Sequence, residues 1–144
     1  MLRFSTGVVR THLSKGLSFS KADRDTNILR IGWVCQMLTK HGVPNIVAAI
    51  SPYREARKEV RVMVEKASGE VSFVEIWVQC PVEQCIKRDV KGLYAKAIKR
   101  EITHFTGISD PYEEPISPEV IVNTDSESSS EAIGKVLAKI EKFL

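Results

Sequence analysis

Asn45-Ile46-Val47-Ala48-Ala49-Ile50-Ser51-Pro52-Tyr53-Arg54 is an unbroken apolar run that ends in a hydroxyl, a proline and a guanidinium. Its apolar residues are continuous rather than alternating and are bounded by Pro44 and Pro52. A parallel strand covered on both faces reads this way, so an interior strand is expected. In open α/β sheets ligands collect just beyond the carboxyl ends of the strands, which makes Ser51 to Arg54 the functional end of the segment. The plainer reading is an ordinary strand-to-helix turn with Ser51 as the helix N-cap.

Working outward, the residues after this strand keep helical spacing. Tyr53, Ala56, Val60, Met63 and Val64 repeat at three and four, with Arg54, Arg57, Lys58 and Arg61 on the opposite, solvent face. Upstream, Ser20-Lys21-Ala22-Asp23 resembles a capping box with Asp in place of Glu, and Ile28, Ile31, Val34, Cys35 and Leu38 follow as a stripe. That helix is expected to end at Lys40-His41-Gly42, with the glycine past its end. Thr11 to Phe19 reads as a short helix running into a loop, and Val8-Val9 as the close of a short strand or the opening of a helix.

Downstream, Ser68-Gly69-Glu70 interrupts the pattern, and Val71 to Val78 reads as a second buried strand. Pro81 suits the first turn of a helix whose inner face is Val82, Cys85 and Ile86. Leu93, Ala97, Ile98 and Ile102 carry a helical stripe beneath a dense run of charge. Thr103 to Pro118 is a long loop, a kind that is often functional in compact domains. Val120-Ile121-Val122 is a third strand, Thr124-Asp125-Ser126 a turn, and Ser128 to Ser130 caps a last helix with Ala132, Ile133, Val136, Leu137, Ile140 and Phe143 inward. Strands alternating with helices give an α/β chain with a parallel, doubly wound sheet and helices on both faces.

Composition bounds the function. The 144 residues have the length of one domain, and 43% apolar with 27% charged residues is a soluble globular balance. The net charge of +3 is too slight to argue for a nucleic-acid partner, although a local anion site is compatible with it. Cys35, Cys80 and Cys85 are odd in number and form no C-x-x-C, so buried thiols are expected, without a disulfide or a zinc site. No apolar run approaches the roughly 20 residues of a membrane span, and Met1 to Arg10 lacks the apolar core of a signal peptide. A cytoplasmic address and no membrane partner are the expectation.

Four polar groups then call for a reason: Arg10 with Phe19, Arg24 with Asn27, Ser51 with Arg54, and Arg88 and Lys91 with Phe105-Thr106-Gly107. Guanidinium forks suit phosphate or sulfate oxygens, and an aromatic face stacks on a base. Together they point to an anionic ligand of the nucleotide class, against the plainer reading of solvated surface charge.

At Leu17-Ser18-Phe19-Ser20, Asp23-Arg24-Asp25-Thr26-Asn27-Ile28, Ile50-Ser51-Pro52-Tyr53-Arg54, Arg88-Asp89-Val90-Lys91-Gly92-Leu93-Tyr94 and Phe105-Thr106-Gly107-Ile108 the chain closely resembles the adenylylsulfate kinase family. The resemblance runs from about Val8 to the C-terminus. It implies a P-loop kinase-like fold and phosphorylation of the ribose 3′-hydroxyl of adenylylsulfate by MgATP, giving 3′-phosphoadenylylsulfate and ADP in sulfate activation. It further implies that Arg10, Arg24, Asn27, Ile50 and Ser51 contact adenylylsulfate, that Phe19 and Phe105 sandwich its adenine, and that Lys91 reaches the phosphates from a lid. Arg88, Thr124 and Glu127 would lie on the ATP side, and Ser51 is either a ligand contact or a phosphoserine. Phosphoryl transfer in such kinases is mostly positioning and charge stabilisation with direct in-line attack, which favours the contact. A homodimer, or a sulfurylase fused to or associated with the kinase, is the implied assembly.

One expected motif does not occur. No G-x-x-x-x-G-K-[ST] stands in the sequence, and the only Gly-Lys pair, Gly134-Lys135, is followed by Val136. The Asp-Gly-Asp of the family is replaced by Ser5-Thr6-Gly7. The expectation is a single kinase-like domain over residues 1–144 that is incomplete at its N-terminus, lacking the first strand and the phosphate loop. Its alternative function is that of a non-catalytic remnant that binds adenylylsulfate or pairs with a full-length kinase.

Overall fold

In the computed structural model, residues 2–4, 9, 11–68 and 73–141 are described. Arg10, Ser5-Thr6-Gly7, Val8, Gly69-Glu70, Val71 and Phe143, all of which entered the sequence reading, lie outside them. The chain forms two compact units, Met1–Phe73 and Val74–Leu144. It is an α/β chain in which each unit holds its own two-stranded sheet and both pairings are parallel.

In the first unit β1 (Leu2–Phe4) pairs with β2 (Asn45–Val47) in the register Leu2 to Asn45 and Phe4 to Val47. Between them α1 (Lys21–Lys40) starts at Ser20, whose hydroxyl accepts the Asp23 N–H at 3.2 Å. It stops in a Schellman turn. Gly42 takes φ +71, its N–H donates to the Thr39 carbonyl at 2.9 Å, and the Val43 N–H reaches back to Leu38 at 3.0 Å. The turn that follows β2 leads into α2 (Arg54–Ser68), and α1 packs on α2.

The core of this unit is Val9, Ile31, Cys35, Val60 and Val64, with Leu13, Ile28, Leu29 and Phe73 packed around it. The two helices approach closely at Gly32, where an added Cβ would stand 2.5 Å from Val60 Cγ2. Desolvation inside this cluster raises the Cys35 thiol pKa to about 11, so it stays an inert thiol.

In the second unit β3 (Ile76–Gln79) pairs with β4 (Val120–Asn123), Ile76 opposite Val120 and Gln79 opposite Asn123. Helices α3 (Val82–Arg88) and α4 (Leu93–Ile98) lie between the two strands in sequence, and α5 (Ser129–Ile140) follows β4 and packs on it. The start of α5 is a full capping box, with the Ser128 hydroxyl accepting the Glu131 N–H and the Glu131 carboxylate accepting the Ser128 N–H at 2.8 Å. Among the described residues of this unit, Ala97, Val120 and Val122 are the buried apolar ones.

Several expectations change. The strand at residues 46–50 is not buried on both faces: β2 stops at Val47, and Ile46 and Ile50 are 44% and 63% exposed. β1 offers it only three partner residues, so the chain leaves the ladder and turns toward Ser51. The second strand is likewise short and alternates in burial, with Val78 63% exposed. The inward stripe of the last helix is covered only in part: Ala132, Val136 and Ile140 are half-buried, whereas Ile133 and Leu137 are exposed, β4 being the strand it packs on. Helix α4 does not reach Ile102. Arg100 takes φ +62, and its N–H and that of Glu101 close a turn onto Ala97 and Lys96.

The Gly32 contact yields a stability prediction. Alanine improves helix propensity by about 1 kcal/mol, yet overpacking a stiff β-branched neighbour costs about 1–3 kcal/mol. Gly32→Ala is expected to lower the midpoint of a thermal melt, and Gly32→Ala with Val60→Ala to recover part of that loss. A single variant that melts higher than the parent would show that the two helices separate freely.

Candidate functional site

The first unit holds a cavity of about 400 Å³, and Phe19, Asp23, Arg24, Asn27, Ile50 and Ser51 are among its lining residues. It lies between the beginning of α1 and the segment that leaves β2. Five of the residues named from the sequence are thus brought to one cavity; Arg10 is outside the described residues.

One wall is residues 14–19, which with Leu13 before them are tied to α1 by five bonds that no helix pattern announces. The Ser14 hydroxyl donates to the Asn27 carboxamide oxygen at 2.6 Å. The Asp23 carboxylate accepts the Ser18 N–H at 2.9 Å and the Ser18 hydroxyl. Arg24 Nε donates to the Phe19 carbonyl at 2.9 Å, with its guanidinium carbon 5.5 Å from the Phe19 ring centre. Arg30 donates to the Leu13 carbonyl at 2.9 Å. The capping box at Ser20 is therefore only half made, since the Ser20 N–H goes to the Ser18 hydroxyl and Asp23 serves the loop. The Ser18 hydroxyl and N–H hold the Asp23 carboxyl below the usual carboxylate range.

The opposite wall is the turn at Ser51. This serine takes φ +41, a left-handed conformation that non-glycine residues seldom adopt. Its carbonyl accepts Arg57 Nη1 at 2.6 Å, while Pro52 and Tyr53 behind it are buried. The Ser51 hydroxyl is buried without a hydrogen-bond partner. It therefore caps no helix, and among the described residues no basic group is hydrogen-bonded to it. Arg54, expected at the functional end, begins α2 as an exposed residue outside the cavity lining. Arg57, expected on the solvent face, is the cation that turns back. The sequence signal for it was weak: a basic residue near a helix N-terminus, where the dipole disfavours it.

In the second unit the named residues fall into two groups. Arg88 Nη2 donates to the Thr124 carbonyl at 2.8 Å, and Glu127 binds Lys135 Nζ at 2.7 Å and the Asn123 N–H at 3.1 Å. Lys135 and then Asn123 hold the Glu127 carboxyl below its ordinary value. Lys91 is exposed on the turn between α3 and α4, which Gly92 allows with φ +64. The Asp89 carboxylate fixes that turn by accepting the N–H groups of Tyr94 and Ala95 at 3.1 and 2.9 Å. Phe105 lies edge-on to Tyr94, ring centres 5.0 Å apart at 74°, and its carbonyl gathers the N–H groups of Ile108, Ser109 and Asp110. The long loop is thus locally ordered around Phe105. Desolvation raises the Tyr94 hydroxyl to about 12, so it remains protonated.

Among the described residues no three His, Cys, Asp or Glu side chains gather as a metal site, and no helix is long and apolar enough to cross a membrane. All three cysteines are free.

Comparison with known proteins gives the family. The family model described as adenylylsulphate kinase matches residues 2–123. The adenylyl-sulfate kinase of Gloeothece citriformis is 54% identical over 137 residues, covering 94% of this chain and 74% of the relative. Among solved structures, the Mycobacterium tuberculosis APS kinase CysC in complex with AMPPNP and APS superposes with a TM-score of 0.85 at 37% identity, covering 97% of this chain and 79% of that one. A hexameric APS kinase from Thiobacillus denitrificans gives 0.68 at 34% identity, over 98% of this chain and 22% of that one.

The Asp23 bonds predict an acid limit for the loop wall. A carboxyl whose pKa is lowered on folding contributes fully above the usual carboxylate range and loses that contribution as pH falls through its lower folded value. The protection of the Ser18 amide, its exchange rate relative to the intrinsic rate at the same pH, is expected to fall in that acid window, and Asp23→Asn to show the lower protection already at neutral pH. Equal Ser18 protection in parent and variant would contradict the assignment.

Proposed function

Because the chain belongs to the adenylylsulphate kinase family, we propose that the cavity of its first unit receives adenylylsulfate, the acceptor of phosphoryl transfer. The observation that carries the reading is that Phe19, Arg24, Asn27, Ile50 and Ser51 line one cavity. In it Arg24 supplies a permanent cation for the sulfate or phosphate oxygens, Asn27 a directional amide, and Phe19 a face for the adenine. Ser51 is a ligand contact rather than a phosphoserine. Its unpaired hydroxyl is a donor that a ligand oxygen would satisfy, and it has no base partner. Lys91 and Phe105 are proposed as further contacts of adenylylsulfate, as is Arg10, with both units belonging to one kinase-like domain.

The reaction proposed is the family's: attack of the 3′-hydroxyl oxygen on the γ-phosphorus of ATP, loss of the hydroxyl proton, and departure of ADP. Arg88, Thr124 and Glu127 are proposed for the nucleotide side, supported by the Arg88–Thr124 bond. The triphosphate and its Mg²⁺ fit the described residues less well. No G-x-x-x-x-G-K-[ST] stands in these 144 residues, and no acidic cluster occurs among those described. The donor and its ion are therefore proposed at the level of the family alone. Association with a second copy or with a sulfurylase, and a cytoplasmic address, belong to the same proposal; three free thiols fit a reducing compartment.

Calorimetric titration of the 144-residue chain tests the reading. Adenylylsulfate is expected to bind more tightly than ATP, and Arg24→Ala to weaken it by roughly ten- to a hundredfold, the loss of a charge-assisted hydrogen bond. ATP binding as tightly as adenylylsulfate, or an Arg24→Ala variant of unchanged affinity, would overturn it.

A further inference from the structure

Arg57 occupies an awkward place for a cation. It stands in the first half of α2, where the unsatisfied N–H groups of the helix repel positive charge, beside Arg54 and Lys58 and with Glu55 as the acid of the first turn. Helical side chains lean toward the N-terminus of their helix. The Arg57 side chain follows that lean past the start of the helix and places Nη1 2.6 Å from the carbonyl oxygen of Ser51, six residues back. Ser51 is the residue that needs holding. Its φ of +41 is disfavoured for any residue with a Cβ, and its hydroxyl is buried without a partner. Arg57 is not among the residues lining the cavity, whereas Ser51 is.

We propose that Arg57 is the positioning residue of the site: its guanidinium, bonded to the Ser51 carbonyl, holds Ser51 in the left-handed turn that presents the serine hydroxyl to the ligand. The inference rests on Ser51 being a ligand contact. Arg57 touches no ligand atom; it acts through the backbone of Ser51. The charged bond stabilises the strained turn before the ligand arrives, so that the ordering cost is met in the free protein rather than on binding. Lysine at this place keeps a cationic donor group but loses the planar fork.

A double-mutant cycle read by adenylylsulfate titration on the full chain separates the possibilities. Ser51→Ala is expected to weaken binding about fivefold, the loss of one neutral hydrogen bond. Arg57→Ala is expected to weaken it by about the same factor, and Arg57→Lys to recover part of the loss. In the Ser51→Ala background, Arg57→Ala is expected to cost nothing further. The proposal is overturned if Arg57→Ala leaves affinity unchanged while Ser51→Ala weakens it. It is also overturned if Arg57→Ala costs as much with Ala at 51 as with Ser, the mark of a general structural role. A Ser51→Ala variant of parental affinity overturns the contact reading and this inference with it, while an Arg24→Ala loss would still stand for the cavity. If Arg57→Ala loses its near-UV circular dichroism, the cycle is run with Arg57→Lys, whose loss must likewise vanish in the Ser51→Ala background.

Discussion

The close crossing of α1 and α2 at Gly32 and Val60 fixes where everything in the first unit can stand. A side chain on Gly32 would collide with Val60, so the two helices approach as nearly as the glycine permits, and Val9, Ile31, Cys35 and Val64 fill the space around that point. A buried aliphatic side chain of this kind is worth about 1.5–3 kcal/mol, so even a small cluster anchors the unit. The consequence for the site is geometric. The early turns of α1 carry Arg24 and Asn27, and the start of α2 carries Arg57 behind Ser51. Both walls of the cavity are thus mounted on a pair of helices whose spacing is set by one contact.

On that frame the walls themselves are polar constructions. Residues 13–19 form neither helix nor strand, and the Ser14–Asn27, Ser18–Asp23, Phe19–Arg24 and Leu13–Arg30 bonds take their place. Two of the residues proposed to touch ligand, Arg24 and Asn27, are already used in holding the loop. That double use orders the site before ligand arrives and lowers the entropy lost on binding. In the second unit Asp89 plays a related part: its carboxylate organises the turn that carries Lys91, and the helix it starts carries Tyr94 against Phe105.

Helix ends were the most legible part of the sequence. Ser20, Ser128 and Gly42 act through bonds between residues a few places apart, and a local pattern records local bonds. The stripes of α1 and α2 were equally clear, because Ile31, Cys35, Val60 and Val64 meet the same core that their spacing implied. The strands were not. An apolar run tells what a strand would prefer to be covered by, whereas exposure at Ile46, Ile50 and Val78 depends on how many partner residues the ladder supplies. Left-handed residues were equally opaque, since nothing in the identities of Ser51 or Arg100 marks a positive φ. In the site, the motif residues were named by resemblance, but the residues that orient them were not, because the bond from the Arg57 side chain to the Ser51 carbonyl and the Ser14–Asn27 side-chain bond join residues with no distinguishing spacing.

The central claim is that adenylylsulfate occupies the cavity between residues 14–27 and 47–52. Amide chemical shifts of the isotope-labelled chain, followed while adenylylsulfate is added, test it most directly. The account predicts saturable shifts at Phe19, Arg24, Asn27, Ile50 and Ser51, with residues remote from the cavity, such as those in the middle of α5, unmoved. Saturable binding that leaves those five amides in place would contradict it.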